Sequence, residues 1–253
     1  MPDPYRIESL ERGLRVLAAF SPLRRRYTVS QMARTVRLPT SSVYRILRTL
    51  EALGYVRAEP DGAYTPGPAV LTLGYAALQA TDVVEAAREP LKDLAQRTGE
   101  TTNFGVLLDD RVLYLVRFKT DHLLIANIYP GTTLPARFTS MGKLLVALED
   151  PIELPSADMT LVGPNALTDD ESYRRELARI REQQWAAQDE ELAPGLRSVA
   201  VPVRSHEGVV GAVNIAVDAR RRSSAVLIDD LLPLLRRTAA EISLRLGYLE
   251  SAR

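Results

Sequence analysis

TVSQMARTVRLPTSSVYRILRTLEALGYVRAEPDGAY, residues 28–64, decides the fold of the N-terminal part of the chain. Thr28 and Gln31 have the spacing of a capping box, so a helix is expected to begin directly after Thr28. That helix ends before Pro39, because the residue preceding a proline is pushed away from helical backbone angles. A second helix follows and ends at Gly54, a residue suited to the left-handed conformation that closes many helices.

The second helix separates an apolar stripe from a polar face. One stripe at helical spacing holds Val43, Ile46, Leu47, Leu50 and Leu53. The other face carries hydroxyls near the helix N-terminus and arginines along one side, which suits a helix in the major groove of double-stranded DNA. A hairpin signal at residues 59–62 (EPDG) adds a wing. The candidate DNA contacts are Thr40, Ser41, Ser42, Tyr44, Arg45, Arg48, Arg57 on the wing, and Arg25.

Arg25 belongs to the run Arg24–Arg26, which either contacts phosphates or lies in a solvated loop. The charge distribution bears on the whole DNA-binding interpretation. Residues 1–70 hold 11 Arg or Lys against 6 Asp or Glu, and the rest of the chain holds 21 against 26. A basic N-terminal third is the pattern expected for phosphate contact. It favours DNA binding over a helical subdomain whose polar face only meets water.

Composition excludes several classes of protein. The chain has no cysteine, which rules out disulfides, thiolate catalysis and zinc bound by sulfur. It has no apolar run near the ~18 residues of a membrane helix and no apolar core of a signal peptide, so we expect a cytoplasmic protein without membrane contact. It has only two histidines and neither a phosphate-binding loop nor a cluster with metal-ligand spacing. We therefore expect no enzyme, no cofactor and no metal.

The order of elements predicts an α+β protein in three parts. Residues 1–66 form a winged helix-turn-helix domain, residues 67–81 a linker helix suited to dimerisation, and residues 82–253 an antiparallel-sheet domain with surrounding helices. The expected helices are one capped by Ser9 that carries Leu10, Leu14, Leu17 and Phe20, then Asp82–Thr98, one opening at Ser140, one from a capping box at Thr168 to about Gln184, and Ser224–Leu249. The expected strands are Thr101–Leu108, Arg111–Phe118, Leu123–Tyr129, Val199–Arg204 and Val209–Val217.

Five segments in this order resemble the IclR family of bacterial transcription regulators. They are SLERGLRVLAAF, LPTSSVYRILRTLEALGYV, RTGETTNFGVL, LPARFTSMGKLLVA and DEELAPGLRSVAVPV, and together they extend over roughly residues 5–247. The resemblance implies a winged helix-turn-helix joined to a GAF-like effector-binding domain. TSMGK and GLRSVAVPV look most like the regulators of aromatic-acid catabolism, of the protocatechuate, 4-hydroxybenzoate and β-ketoadipate type.

The resemblance also implies an effector pocket on one face of the sheet. The residues carried over onto this chain, together with a neighbouring arginine, are Leu134, Ser140, Met141, Arg197, Ser198, Asn214 and Ala216. Ser140 is either a ligand contact or a helix N-cap, and Asn214 is either a ligand contact or a core amide bonded to backbone. Arg137 departs from the pattern, and either grips a second carboxylate or points to solvent. Gln188 stands where many relatives have an acid.

The expected function is a transcription regulator that binds a near-palindromic operator as a homodimer or a tetramer (a dimer of dimers). A small organic acid, aromatic or oxo, is the expected effector, and RNA polymerase is a partner if the regulator activates. The alternative is a constitutive DNA-binding regulator whose C-terminal domain only oligomerises. Stabilisation by a ligand against heat would separate the two.

Overall fold

The computed structural model describes residues 5–21, 24–79, 82–119, 128–156 and 162–248. The chain divides into two compact units, residues 1–80 and 81–253. The mixture of helices with antiparallel sheets confirms the α+β class. In the described part of the chain, no helix has the length and apolar character needed to cross a membrane.

The first unit is a helix-turn-helix with a small sheet. Its elements are α1 (Glu8–Ala18), β1 (Tyr27–Thr28), α2 (Val29–Val36), α3 (Thr40–Ala52), β2 (Val56–Ala58), β3 (Ala63–Pro66) and α4 (Ala69–Gln79). The capping box is confirmed: Thr28 Oγ1 accepts from the Gln31 backbone N–H, and Gln31 Oε1 accepts from the Thr28 N–H. The hairpin is confirmed as well, and β1 adds a third strand to it that the sequence did not predict.

Three expectations for this unit were wrong. Ser9 does not cap α1, because the helix begins at Glu8 and its N-cap, Ile7, makes no side-chain hydrogen bond. Phe20 lies beyond the end of α1 and contacts the Tyr27 ring edge-on, with centroids 5.4 Å apart. Leu53 is not part of the buried stripe: it is 61% exposed, whereas Val43, Leu47 and Leu50 are buried.

The second unit is built on a six-stranded antiparallel sheet. Its elements are α5 (Asp82–Thr98), β4 (Thr101–Leu108), β5 (Arg111–Phe118), β6 (Thr133–Pro135), α6 (Ser140–Leu148), α7 (Asp170–Gln183), β7 (Ala186–Asp189), β8 (Leu196–Ser205), β9 (Gly208–Asp218), α8 (Ser224–Val226) and α9 (Leu232–Arg245). The strand order is β6-β5-β4-β9-β8-β7. The predicted bounds of β4 and β5 are confirmed, and β6 and β7 were not predicted.

Helices cover both faces of this sheet. Side chains alternate between the faces along a strand, so Thr102 and Asn103 point in opposite directions. Thr102 Oγ1 donates to the Leu91 carbonyl at 2.9 Å, which puts α5 on one face. Met141 and Leu144 of α6 pack with Ala212 and Ala216 of β9 on the other. The face under α6 is the one that carries the polar groups described below.

Two expectations for the second unit were wrong, and a third concerns residues outside the described ranges. The N-cap of α7 is Asp169, which accepts from the Ser172 N–H at 2.8 Å, so no capping box begins at Thr168. The last helix is interrupted by a π-helical turn at Leu227–Leu231, directly before α9, whose second residue is Pro233, and α9 ends at Arg245. The predicted strand Leu123–Tyr129 falls largely on residues 120–127, which lie outside the described residues.

Candidate DNA-binding surface and candidate effector cavity

The outward face of α3 carries an exposed arginine suited to base contact. Helical periodicity places Ser41, Arg45 and Arg48 opposite the buried Val43 and Leu47. Arg48 Nη1 donates to Glu51 at 2.7 Å. The guanidinium of Arg45, in contrast, makes no hydrogen bond or ion pair with any residue that the structure describes. Arg45 is therefore available to a partner without first breaking an internal contact.

The other predicted DNA contacts are also at the surface. Tyr44 is 51% exposed, and Thr40, Ser41 and Arg25 are exposed, while Ser42 is half-buried. On the wing, the side chain of Arg57 is 71% exposed and its Nε lies 3.8 Å from Glu59 Oε1. Arg26 pairs with Asp61 at the hairpin turn. The first unit thus presents arginine side chains on both the helix and the wing.

The second unit contains a small polar cavity under α6. The residues that line it are Asn103, Tyr114, Arg117, Ile128, Leu134, Thr139, Gln188, Leu192, Leu196, Ser198, Asn214 and Ala216. Its volume is about 20 Å³, which is room for about one water molecule. An organic acid can enter only if some of these side chains move apart. None of the lining residues is acidic.

A continuous series of hydrogen bonds crosses this cavity wall. Arg117 Nη1 donates to Asn103 Oδ1 at 3.0 Å, and Asn103 Nδ2 donates to Asn214 Oδ1 at 2.7 Å. Asn214 Nδ2 then lies 3.5 Å from Ser140 Oγ, which is 2.7 Å from Ser198 Oγ. The series runs from a charged guanidinium on β5 to the first residue of α6 and back to β8.

The effector residues expected from the sequence divide into two groups. Leu134, Ser198, Asn214 and Ala216 line the cavity, and Ser140 reaches it through its hydrogen bond to Ser198. Two others do not line it, for reasons of strand and helix geometry: Met141 packs in the apolar core under α6, and Arg197 lies on the face of β8 opposite Ser198.

The contacts of Arg197, expected to bind the effector, and of Arg137, expected to bind a carboxylate or face solvent, differ from both expectations. The Arg197 guanidinium donates to Asp189 at 2.5 Å and to the carbonyls of Ala219 and Arg222. Arg137 neither grips a ligand nor points to solvent. It is only 2% exposed, its guanidinium lies over the Tyr173 ring, and it donates to Asp170 and to the carbonyls of residues 167 and 168. Arg137 fixes the start of α7.

The start of α6 differs from the expected N-cap. Thr139, not Ser140, is the N-cap, and its Oγ1 accepts from the Gly142 N–H at 3.0 Å. Ser140 is therefore free of the capping role, and its hydroxyl joins the hydrogen-bonded series. Asn214 bonds to side chains rather than to backbone. Gln188 lines the cavity and stabilises the following turn, since its Oε1 accepts from the Glu191 N–H at 3.1 Å.

A buried ion pair holds the other side of α6. Lys143 Nζ lies 2.6 Å from Glu191 Oε1 and 3.6 Å from Glu176 Oε1 on α7. Burial raises the pKa of Glu191, and the neighbouring Lys143 opposes that shift. The pair ties α6 to α7 and to the turn before β8. Among the described residues, no cluster of histidine or carboxylate side chains is suited to hold a metal.

Among the cavity-lining residues that the sequence analysis did not predict, Arg117 is the charged one. In strict alternation it shares a face with Leu113 and Leu115 and not with Tyr114. The structure contains a β-bulge here, since Phe104 pairs with Val116 and Gly105 with Tyr114, which leaves Leu115 without a partner on β4. A bulge reverses the alternation beyond it. Arg117 therefore lies on the cavity face with Tyr114. In the sequence, the only indication that Arg117 belongs to a site was that it is a basic residue within an otherwise apolar strand.

Comparison with known proteins gives matches over nearly the whole chain. Residues 75–244 match the family model for the "Bacterial transcriptional regulator IclR C-terminal" domain, and residues 9–60 match the "IclR helix-turn-helix domain". The Pca regulon regulatory protein of Pseudomonas putida is 36% identical over 240 residues, which is 92% of this chain and 82% of that protein.

Two solved structures extend the comparison to the fold. A transcriptional regulator of Rhodococcus sp. RHA1 is 32% identical, with a TM-score of 0.74 over 96% of this chain and 99% of that one. An IclR homolog of Microbacterium hydrocarbonoxydans, solved in complex with 4-hydroxybenzoate, is 25% identical, with a TM-score of 0.77 over 95% and 99%. The fold and both domains of this chain therefore have close structural counterparts.

Proposed function

Because the chain belongs to the IclR family of bacterial transcriptional regulators, whose named relatives are regulators and not enzymes, we propose that it is a ligand-responsive regulator. It binds a near-palindromic operator as a dimer or a dimer of dimers, and a small organic acid gates that binding. The proposal rests on one observation: the same chain carries an outward arginine face on α3 and a polar cavity under α6.

DNA recognition is assigned to α3 and the wing. Arg45, with no internal partner among the described residues, is the proposed base contact, since an arginine can bond a guanine edge through two donors. Its neighbours on α3 and the wing position the helix through phosphates. The proposed set is Thr40, Ser41, Ser42, Tyr44, Arg48, Arg57 and Arg25. In a dimer, two such helices enter successive major grooves, roughly 34 Å apart.

Dimerisation is assigned to the apolar surface of the first unit. Leu10 and Leu14 of α1 are each more than half exposed, as are Leu71 and Leu73 of α4. Large exposed apolar side chains of this kind are stabilised by burial against another copy of the chain.

The effector is proposed to be a small aromatic or oxo acid that contacts Leu134, Ser140, Ser198, Asn214 and Ala216. One solved relative supports this class: the Microbacterium protein was crystallised in complex with 4-hydroxybenzoate. The acid changes DNA affinity only if it prefers one arrangement of the dimer, by an amount typically about 1–3 kcal/mol. Contact with RNA polymerase is proposed only for an activating role. A DNA-binding role also favours the cytoplasm as its location.

Selection of duplexes from a randomised library tests the DNA-binding part of the proposal, and it works for an operator of any sequence. We expect enrichment of a near-palindrome by the wild-type protein, and loss of that enrichment in Arg45→Ala. Absence of any enriched motif would contradict a sequence-reading role. Measuring the Tm with and without the acid distinguishes the alternative, a constitutive regulator. The acid raises the Tm of a sensor and leaves that of a non-sensing domain unchanged.

A further inference from the structure

The guanidinium of Arg117 has two donors that nothing in the described part of the protein uses. Arg117 lines the cavity from β5, and its Nη1 donates to Asn103. Its Nε and Nη2 are buried and meet no hydrogen-bond acceptor among the residues that the structure describes. In the planar guanidinium these two nitrogens lie on one edge, so their N–H groups point the same way, as a fork that matches the two oxygens of a carboxylate.

Leaving this fork empty is costly to the protein. A buried donor without an acceptor loses its hydration and gains nothing in return, and the loss is larger on a charged group. Burial lowers the pKa of Arg117, yet an arginine keeps its proton inside proteins. The cavity lining contains no aspartate or glutamate. The half-buried Arg117, whose Nε and Nη2 are themselves buried, thus faces a cavity whose lining contains no negative partner.

The contacts of Arg117 differ from those of two structural arginines in the same unit. Arg137 donates to three acceptors through Nε, Nη1 and Nη2, and Arg197 donates to three through Nε and Nη1. Arg117 makes a single such contact, on the edge facing Asn103. The amide of Asn103 therefore holds the guanidinium in place while its Nε and Nη2 edge stays free for a ligand.

We propose that Arg117 binds the carboxylate of the effector side-on through Nε and Nη2, and that the cavity accepts one carboxylate and not two. This assignment rests on the proposed function, because it names the anchor and the charge of the acid proposed above. A single carboxylate neutralises Arg117. A second one would enter a cavity whose lining offers no second cation, and it would be desolvated without a partner.

Heat stability with defined acids tests the assignment. The probes are benzoate, 4-hydroxybenzoate and protocatechuate as monocarboxylates, 4-hydroxybenzamide as the uncharged match, and adipate and 3-oxoadipate as dicarboxylates. We expect at least one monocarboxylate to raise the Tm of the wild-type protein, and the amide and dicarboxylates to leave it unchanged. Calorimetry with the best acid should give a Kd that rises about 10- to 100-fold in Arg117→Met, the loss expected for charge-assisted hydrogen bonds. Arg117→Lys, which keeps the charge but not the fork, should also weaken binding.

Matched variants separate this assignment from a folding defect. Arg111→Met, on the same strand but bonded to Thr133, should keep the wild-type Kd. Without ligand, Arg117→Met should lower the Tm less than Asn103→Leu does, because it leaves one acceptor, Asn103 Oδ1, without its donor but also removes a charge that lacks full compensation. A drop in Tm as large as that of Asn103→Leu would mark Arg117 as structural and overturn the assignment.

The remaining outcomes distinguish failure of the anchor from failure of the sensor. Equal binding of an acid by wild type and Arg117→Met would overturn the anchor and leave the sensing function standing. Preferential binding of a dicarboxylate would overturn the limit to one carboxylate. If no acid shifts the Tm, both the Arg117 anchor and the effector part of the proposed function fail, while the selection of operator duplexes still tests DNA binding independently.

Discussion

Asn103 and Asn214 form a buried amide pair across β4 and β9, with Asn103 Nδ2 donating to Asn214 Oδ1 at 2.7 Å. The direction of this bond is imposed by a third residue. Arg117 has only donors, so the Asn103 atom that faces it must be Oδ1. That orientation turns Nδ2 towards Asn214 and leaves the Asn214 amide group facing Ser140. The charge on β5 therefore sets the polarity of hydrogen bonds as far as α6.

Replacement of Asn103 by Leu should destabilise the second unit. The change removes the acceptor of Arg117 and the donor to Asn214, which leaves both buried and unpaired. We expect a loss of about 2–4 kcal/mol in the free energy of unfolding, measured by urea denaturation. Asn165→Ala is the matched control, because the Asn165 amide makes one exposed hydrogen bond to the Asp189 carbonyl and should cost under about 1 kcal/mol. Equal losses in the two variants would contradict the role given to the pair.

Replacement of Arg45 by Ala should weaken specific DNA binding by roughly 1–3 kcal/mol, because a base contact through two donors has about that value. Fluorescence anisotropy with the selected duplex and with a scrambled duplex measures it at fixed salt. Arg97→Ala, which removes an exposed arginine of α5 bonded to Asp93, controls for the loss of charge. A change under about 0.5 kcal/mol would remove Arg45 from the base contacts.

Replacement of Leu14 by Glu should convert the dimer to monomers. Leu14 is 57% exposed on α1, in the surface assigned to dimerisation, so a carboxylate buried there on association opposes dimer formation. Sedimentation velocity gives the oligomeric state directly. Leu108→Glu, at the exposed end of β4, should leave it unchanged. A dimer that persists in Leu14→Glu places the dimer interface elsewhere.

Replacement of Asp218 by Asn should destabilise the protein in a way that depends on pH. Hydrogen bonds from the Arg220 side chain and backbone hold the pKa of Asp218 at about 2. Since this folded-state pKa lies below the ordinary value, the carboxylate contributes stability that is complete above about pH 5 and is lost as the pH falls towards about 2. Urea unfolding should show the variant less stable than wild type at neutral pH and the difference closing below about pH 4. A difference in unfolding free energy between variant and wild type that does not vary with pH would rule out the Asp218 carboxylate as its cause.

The sequence predicted those elements whose signals are local. Thr28 and Gln31 predicted the start of α2 through their capping-box spacing, and the bounds predicted for the neighbouring strands β4 and β5 are those of the structure. Caps and turns depend on residues within a few positions of each other, so one sequence carries them in full.

Features that depend on distant residues could not be predicted in the same way. The face on which Arg117 lies depends on a bulge at Leu115, which exists only because β5 pairs with β4. Arg137 looked available to a ligand because its acceptors lie about thirty residues away, at the start of α7. The sequence also did not reveal that Leu53 is exposed. Its position in the helical stripe indicates burial, and only the packing of the folded unit leaves its side chain exposed.

The most direct test of the central claim, that acid binding gates DNA binding, is one anisotropy titration. Labelled selected duplex is titrated with the protein at fixed salt, with and without the acid that raises its Tm most. We predict that a saturating concentration of the acid shifts the Kd for this duplex about 5- to 150-fold. In Arg117→Met, the same concentration of acid should produce no shift. An acid that stabilises the wild-type protein yet leaves its Kd for the duplex unchanged would contradict the account.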